Sequence, residues 1–157
     1  MTAEVEDKAP DFELLDVDRN KRTLSEFSGS NLVIAFYPGA FTSVCTQEMC
    51  ALRDSIARFN EMNATVVGIS VNDPFSNKAF SDQNQLNFPL LSDYARKTVT
   101  DYDVALEDFA GMNGYTAAKR SVFIVDGEGR IRYRWVSEDP AVEPNYDDIA
   151  EKLRDVA

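Results

Sequence analysis

Histidine is absent from the 157 residues. That absence excludes the triads that use imidazole as a base, zinc sites built on His, and the His-rich iron and copper sites, so no metal is expected. Chemistry here must rest on thiols, carboxylates, hydroxyls, Lys or Arg. Long apolar runs are missing too, and the first twenty residues carry Glu4, Glu6, Asp7, Asp11 and Asp16, the opposite of a signal peptide's basic and then apolar start. The expectation is a cytoplasmic chain with no membrane span. Basic residues are scarce, 16 against 27 acidic, for a net charge of -11. Such a surface repels phosphate backbones and anionic lipids, which removes nucleic acid from the candidate partners. Its few lysines and many aspartates also suit a solvated surface at high salt. No repeat, low-complexity tract or linker divides the sequence, so residues 1–157 are read as one domain.

The order of elements indicates an α/β protein. Asn31 to Tyr37 is a nearly continuous apolar run, and Thr65 to Val71 is another, rich in β-branched residues. Both read as buried central strands. Between them Cys45, Met49, Leu52, Ile56 and Phe59 recur at helical spacing, which gives a βαβ unit with a parallel strand pair. Pro74 to Gln85 and Tyr94 to Tyr102 have helical composition, with a short apolar run at Phe88 to Leu91. Ser121 to Val125 is a strand, followed by the turn Asp126-Gly127-Glu128-Gly129. Ile131, Tyr133 and Trp135 then alternate with Arg130, Arg132 and Arg134, as in a hairpin strand with one solvated face. Ile149, Leu153 and Val156 predict a final helix. The sum is a central mixed β-sheet flanked by helices.

Only two cysteines occur, Cys45 and Cys50, close together in a chain with no sign of secretion, and such a pair is more often redox-active than structural. Cys45 ends the run Tyr37-Pro38-Gly39-Ala40-Phe41-Thr42-Ser43-Val44-Cys45, a strand-to-helix turn. If Thr42 caps the helix, Cys45 is its third residue, where free backbone N–H groups and the helix dipole stabilise an anion. A thiolate is the expected form there, and the thiolate is the nucleophile. When sulfur attacks a peroxide, the departing oxygen gains negative charge and needs preorganised donors. Thr42 and the first N–H groups supply some. A guanidinium fork supplies the rest, and Arg120, just before the strand Ser121 to Val125, is the best-placed candidate if that strand pairs beside the first.

These residues resemble the peroxiredoxin family. Its signature, a Pro followed four residues later by Thr or Ser and three after that by the peroxidatic Cys, stands here as Pro38, Thr42 and Cys45. The family's Arg before a core strand matches Arg120-Ser121-Val122-Phe123-Ile124-Val125-Asp126. Ala9-Pro10-Asp11-Phe12-Glu13-Leu14, Gly68-Ile69-Ser70-Val71 and Phe88-Pro89-Leu90-Leu91-Ser92-Asp93 extend the resemblance over roughly the whole chain. The resemblance implies a thioredoxin-like fold, a Pro38 that shields the sulfur, and reduction of hydrogen peroxide or organic hydroperoxides with no cofactor. Cys50, five residues after Cys45, matches the resolving cysteine of the bacterioferritin-comigratory (PrxQ-like) branch. Residues five apart in a helix lie about 140° apart with Cα atoms roughly 8–9 Å apart, so the first turns must unwind before a disulfide can form. The resemblance implies recycling by a thioredoxin-like protein, and the family includes monomers and homodimers.

Plainer readings stand beside these. Cysteine is often simply buried, and Cys50 can be a semi-buried structural residue. In that case the chain is a one-cysteine enzyme recycled by an external thiol. Lys119 competes with Arg120 for the cationic role. Glu48 reads as support, capping the helix or pairing with an arginine. A thioredoxin-type oxidoreductase would need two cysteines separated by two residues, and a non-enzymatic holdase on the same scaffold is the remaining rival.

Overall fold

The computed structural model describes residues 3–156. In chain order the elements are β1 (Glu13–Leu15), β2 (Lys21–Thr23), β3 (Asn31–Phe36), α1 (Ser43–Glu61), β4 (Ala64–Ser70), α2 (Pro74–Asn84), β5 (Leu90–Ser92), α3 (Lys97–Asp101), β6 (Ala105–Leu106), β7 (Ala117–Ala118), β8 (Ser121–Val125), β9 (Ile131–Val136) and α4 (Tyr146–Val156). Seven strands form one sheet in the order β2-β1-β5-β4-β3-β8-β9, and β6 pairs with β7 apart from it. β3 runs parallel to β4 and antiparallel to β8, so the sheet is mixed as expected. Among the described residues no helix is long and apolar enough to cross a membrane.

β3 reads as an unbroken apolar run because both its faces are covered. Leu32, Ile34 and Phe36 point into a cluster with Val67, Ile69, Val99, Tyr102 and Phe123. Val33, Ala35 and Tyr37 point the other way, onto Met49, Leu52 and Phe59 of α1 and Ile149 and Leu153 of α4. Nineteen residues without Gly or Pro let α1 run from Ser43 to Glu61, and Asn63 beyond it takes a left-handed φ of 56°. α2 opens on an Asp73 cap, whose carboxylate accepts from the Ser76 N–H at 2.8 Å, with Pro74 next.

Three expectations change. The helix read over Tyr94 to Tyr102 contracts to α3, because Arg96 takes a left-handed φ of 61° just before it. The apolar run at Phe88 to Leu91 becomes a strand only from Leu90. The solvated arginine face of β9 is not observed. Val125 pairs with Ile131 but Ile124 pairs with Tyr133, a bulge that places two β9 residues against one. The bulge reverses the alternation, so Ile131 enters one core cluster while Tyr133 and Trp135 pack against the other. Arg132 and Arg134 are half-buried, the first bonded to Asp126 at 3.2 Å and the second lying over the Phe123 ring.

Gly68 on β4 is required by a close approach. A Cβ there would stand 2.7 Å from Leu90 Cδ2 and 3.3 Å from Tyr37 Cε1. Gly68→Ala is therefore expected to cost roughly 1–3 kcal/mol by overpacking. Urea unfolding checks this, and an unchanged midpoint would mean that the two neighbours can yield.

Candidate active site

The pairing of β3 with β8 sets Phe36 opposite Ser121, so the chain leaving β3 and the residue entering β8 lie side by side. Arg120 therefore reaches across the start of α1, as the pairing condition requires. Its side chain is 1% exposed and all its hydrogen bonds are local to one place. Nη2 donates to Cys45 Sγ at 2.9 Å, Nη1 to Glu48 Oε1 at 2.8 Å, and Nε to the Pro140 carbonyl at 2.9 Å. Burial pulls the guanidinium's pKa down, but the adjoining Glu48 and Cys45 outweigh it and the net shift is upward. Arg120 stays charged. Lys119 is turned away, with its Nζ on Glu138 at 3.0 Å.

Thr42 sits at the cap position with extended backbone, yet its hydroxyl does not cap α1. It donates instead to the Gly39 carbonyl at 2.8 Å, which folds the loop back on itself. The N–H groups of Ser43, Val44 and Cys45 consequently meet no hydrogen-bond acceptor among the described residues. They remain available to an anion at the head of a nineteen-residue helix. The loop before it is strained and anchored: Phe41 has φ 66°, its ring meets Phe80 edge-on at 5.3 Å, and the Ala40 N–H bonds Asn72 Oδ1 at 2.9 Å.

Cys45 itself has no exposed surface. A cleft of about 210 Å³ is lined by Pro38, Thr42, Val44, Phe109, Arg120 and Pro140; Cys45 does not line it, but Arg120 on its wall bonds the sulfur. Pro38 shares the lining of that cleft with Arg120. A larger cleft, about 570 Å³, lies between the β1–β2 hairpin and the turn into α3, and neither cysteine nor Arg120 lines it.

Glu48 is fully buried and pairs with an arginine, the second of the two supporting roles read from the sequence. It follows Cys45 by three residues and so shares its helix face, a spacing that could have revealed it. Burial raises its carboxyl from 4.5 to about 8 against the lowering influence of Arg120, and Oε2 has no hydrogen-bond partner among the described residues. Sequence reasoning missed a polar network under the cysteine. Tyr37 donates to Asn77 Oδ1 at 2.8 Å, Ser70 to the same oxygen at 3.3 Å, and Asn77 Nδ2 to Ser92 at 3.1 Å. Burial, with Cys45 and Glu48 nearby, keeps the Tyr37 hydroxyl un-ionised well above its ordinary range.

Cys50 stands away from this cluster. Its half-buried thiol lies 3.7 Å from Asn84 Oδ1, at the end of α2, and Arg53 holds the Asn84 carbonyl at 2.7 Å. Both cysteines are free thiols within one unbroken helix.

The folded protein holds the Glu48 proton more tightly than the unfolded chain does. Its ionisation therefore subtracts stability as pH rises from the ordinary value of 4.5 towards about 8, and no further above that. A Gln cannot ionise. Glu48→Gln should thus gain stability relative to the native protein between about pH 5 and about pH 8 in urea titrations, and a difference independent of pH would contradict the upward shift.

A family model described as "AhpC/TSA family" matches residues 5–134. A putative peroxiredoxin of Mycobacterium tuberculosis is 38% identical over 125 residues, 80% of each chain. The crystal structure of peroxidoxin BcpB from the same organism superposes with a TM-score of 0.86 at 29% identity, covering 98% of both chains. The bacterioferritin comigratory protein of Xanthomonas campestris gives a TM-score of 0.81 at 26% identity, over 92% of this chain and 90% of that one.

Proposed function

The chain belongs to the AhpC/TSA family and is a peroxiredoxin, a thiol-dependent peroxidase; on that premise we propose that Cys45 is its nucleophile, Arg120 its electrostatic partner, and Cys50 its resolving thiol. The observation that carries the proposal is the 2.9 Å contact between Arg120 and the Cys45 sulfur at the head of α1. A charged donor at that distance favours an anionic sulfur and is already aimed at the charge that appears when the O–O bond breaks. The free N–H groups of the first helical turn point to the same place.

Thr42 takes a different part from the donor expected of it. Its proton is committed to Gly39, so its oxygen is left to accept the O–H of a hydroperoxide and fix its orientation. Pro38 walls the sulfur from bulk water. Apolar lining from Pro38, Val44, Phe109 and Pro140 suits an organic hydroperoxide as well as hydrogen peroxide. Alkyl peroxide reduction is an activity of the Xanthomonas campestris bacterioferritin comigratory protein, which supports the same substrate class here.

Attack leaves Cys45 as a sulfenic acid, with which Cys50 condenses to a disulfide. The first turns of α1 must open for this, because the two thiols lie on different faces of an intact helix. A thioredoxin-like protein then reduces the disulfide.

Cys45→Ser is expected to lose peroxide consumption while keeping the native circular dichroism spectrum, and retained turnover would remove Cys45 from the chemistry. Cys50→Ser should still form a sulfenic acid with one equivalent of peroxide but fail to cycle with thioredoxin. Undiminished thioredoxin-dependent cycling in that variant would assign recycling to an external thiol instead.

A further inference from the structure

Two acids share one guanidinium at this site. Arg120 reaches Cys45 and Glu48 with its two terminal nitrogens, and all three residues are at most 1% exposed. The titratable and charged groups that face Glu48 are Arg120 ahead of β8, Cys45 one turn earlier on α1, Tyr37 after β3, Glu143 beyond β9 and Tyr146 on α4. Tyr146 donates to Glu143 at 2.6 Å, so neither brings positive charge. Arg120 is the single cation in that set.

Were both acids ionised, the buried group would carry a net negative charge, with Glu48 Oε2 lacking a hydrogen-bond partner among the described residues. Isolated buried charge of that kind is expensive, and a neutral carboxylic acid costs much less even with one oxygen unbonded. One proton placed between the two acids restores neutrality. Resting on the reading of Cys45 as the attacking thiolate, we propose that Glu48 holds that proton in the reduced protein and surrenders it when Cys45 is oxidised.

The step balances. A sulfur electron pair forms the S–O bond, the O–O bond breaks with its pair on the leaving oxygen, and that oxygen gains a proton as it departs as alcohol or water. Sulfur is oxidised from thiolate to sulfenic acid and the peroxide is reduced. Glu48 passes from acid to carboxylate, its lost proton balancing the one gained. Arg120 exchanges an anionic sulfur for an anionic carboxylate, so the buried charge is the same before and after. Burial and the neighbouring Glu143 both favour Glu48 as the acid that keeps the proton in the resting state. Glu48 acts through Arg120 and is a positioning residue that also stores a proton.

The test uses Cys50→Ser protein, in which the sulfenic acid persists, oxidised by one equivalent of hydrogen peroxide and followed by mass spectrometry and infrared difference spectroscopy. Oxidation should remove a carboxylic-acid carbonyl band that moves on isotopic labelling of glutamate and is absent from Cys50→Ser/Glu48→Gln. An indicator dye should show no net proton uptake in Cys50→Ser, and one proton taken up per oxidised sulfur in the double variant. The labelled single variant suffices if the double variant does not fold. A sulfenic acid on Cys45 with no change in any glutamate carbonyl band would overturn the proton assignment alone. Failure to form that sulfenic acid would overturn the nucleophile assignment and this inference with it.

Discussion

A buried guanidinium with three fixed partners is the constraint around which this protein is arranged. Arg120 has almost no contact with water, and a cation so placed is tolerable only if every donor is matched. Its three partners come from two separate parts of the chain: Cys45 and Glu48 from successive turns of α1, and the Pro140 carbonyl from the segment between β9 and α4. Removing any one leaves a buried donor of a desolvated cation unmatched. The sheet is what allows the three to meet, because β3 delivers the head of α1 and its antiparallel neighbour β8 begins just after the arginine.

The local backbone serves the same end. A helix start usually spends its free N–H groups on a capping side chain, but Thr42 is drawn back onto Gly39 and leaves them open. The left-handed Phe41 and the Ala40–Asn72 bond hold that unusual turn in place. Beneath it, the Tyr37–Asn77–Ser70–Ser92 network satisfies the buried polar groups and ties β3, β4 and β5 to α2. Rigidity under the sulfur contrasts with the opening of α1 that the proposed Cys45–Cys50 disulfide requires. The two requirements meet in the first turns of one helix.

Much of this is legible in the sequence. The apolar runs of β3 and β4 and the stripe on α1 are strong periodic signals, and Pro38, Thr42, Cys45 and Arg120 stand out by their order along the chain. What escapes is whatever depends on tertiary register. The β9 bulge inverts an alternation that looks regular in the sequence. The hydroxyl of Thr42 has two acceptable partners, and only the folded loop chooses between them. Glu48 reads as an acid that caps the helix or pairs with an arginine, and only the fold selects the pairing and names Arg120, seventy-two residues away, as the partner. The β1–β2 hairpin and the β6–β7 pair are strands of two or three residues, too short to leave a period.

The central claim, that Arg120 stabilises the reacting sulfur, is open to a rate measurement. Trp135, the sole tryptophan, packs against the cluster that contains Cys45, so stopped-flow fluorescence can follow oxidation of the thiolate directly. Arg120→Lys keeps the charge but loses the fork that bridges sulfur and carboxyl. Its second-order rate constant with hydrogen peroxide should fall by about 10²- to 10³-fold. A rate equal to that of the native protein would contradict the account.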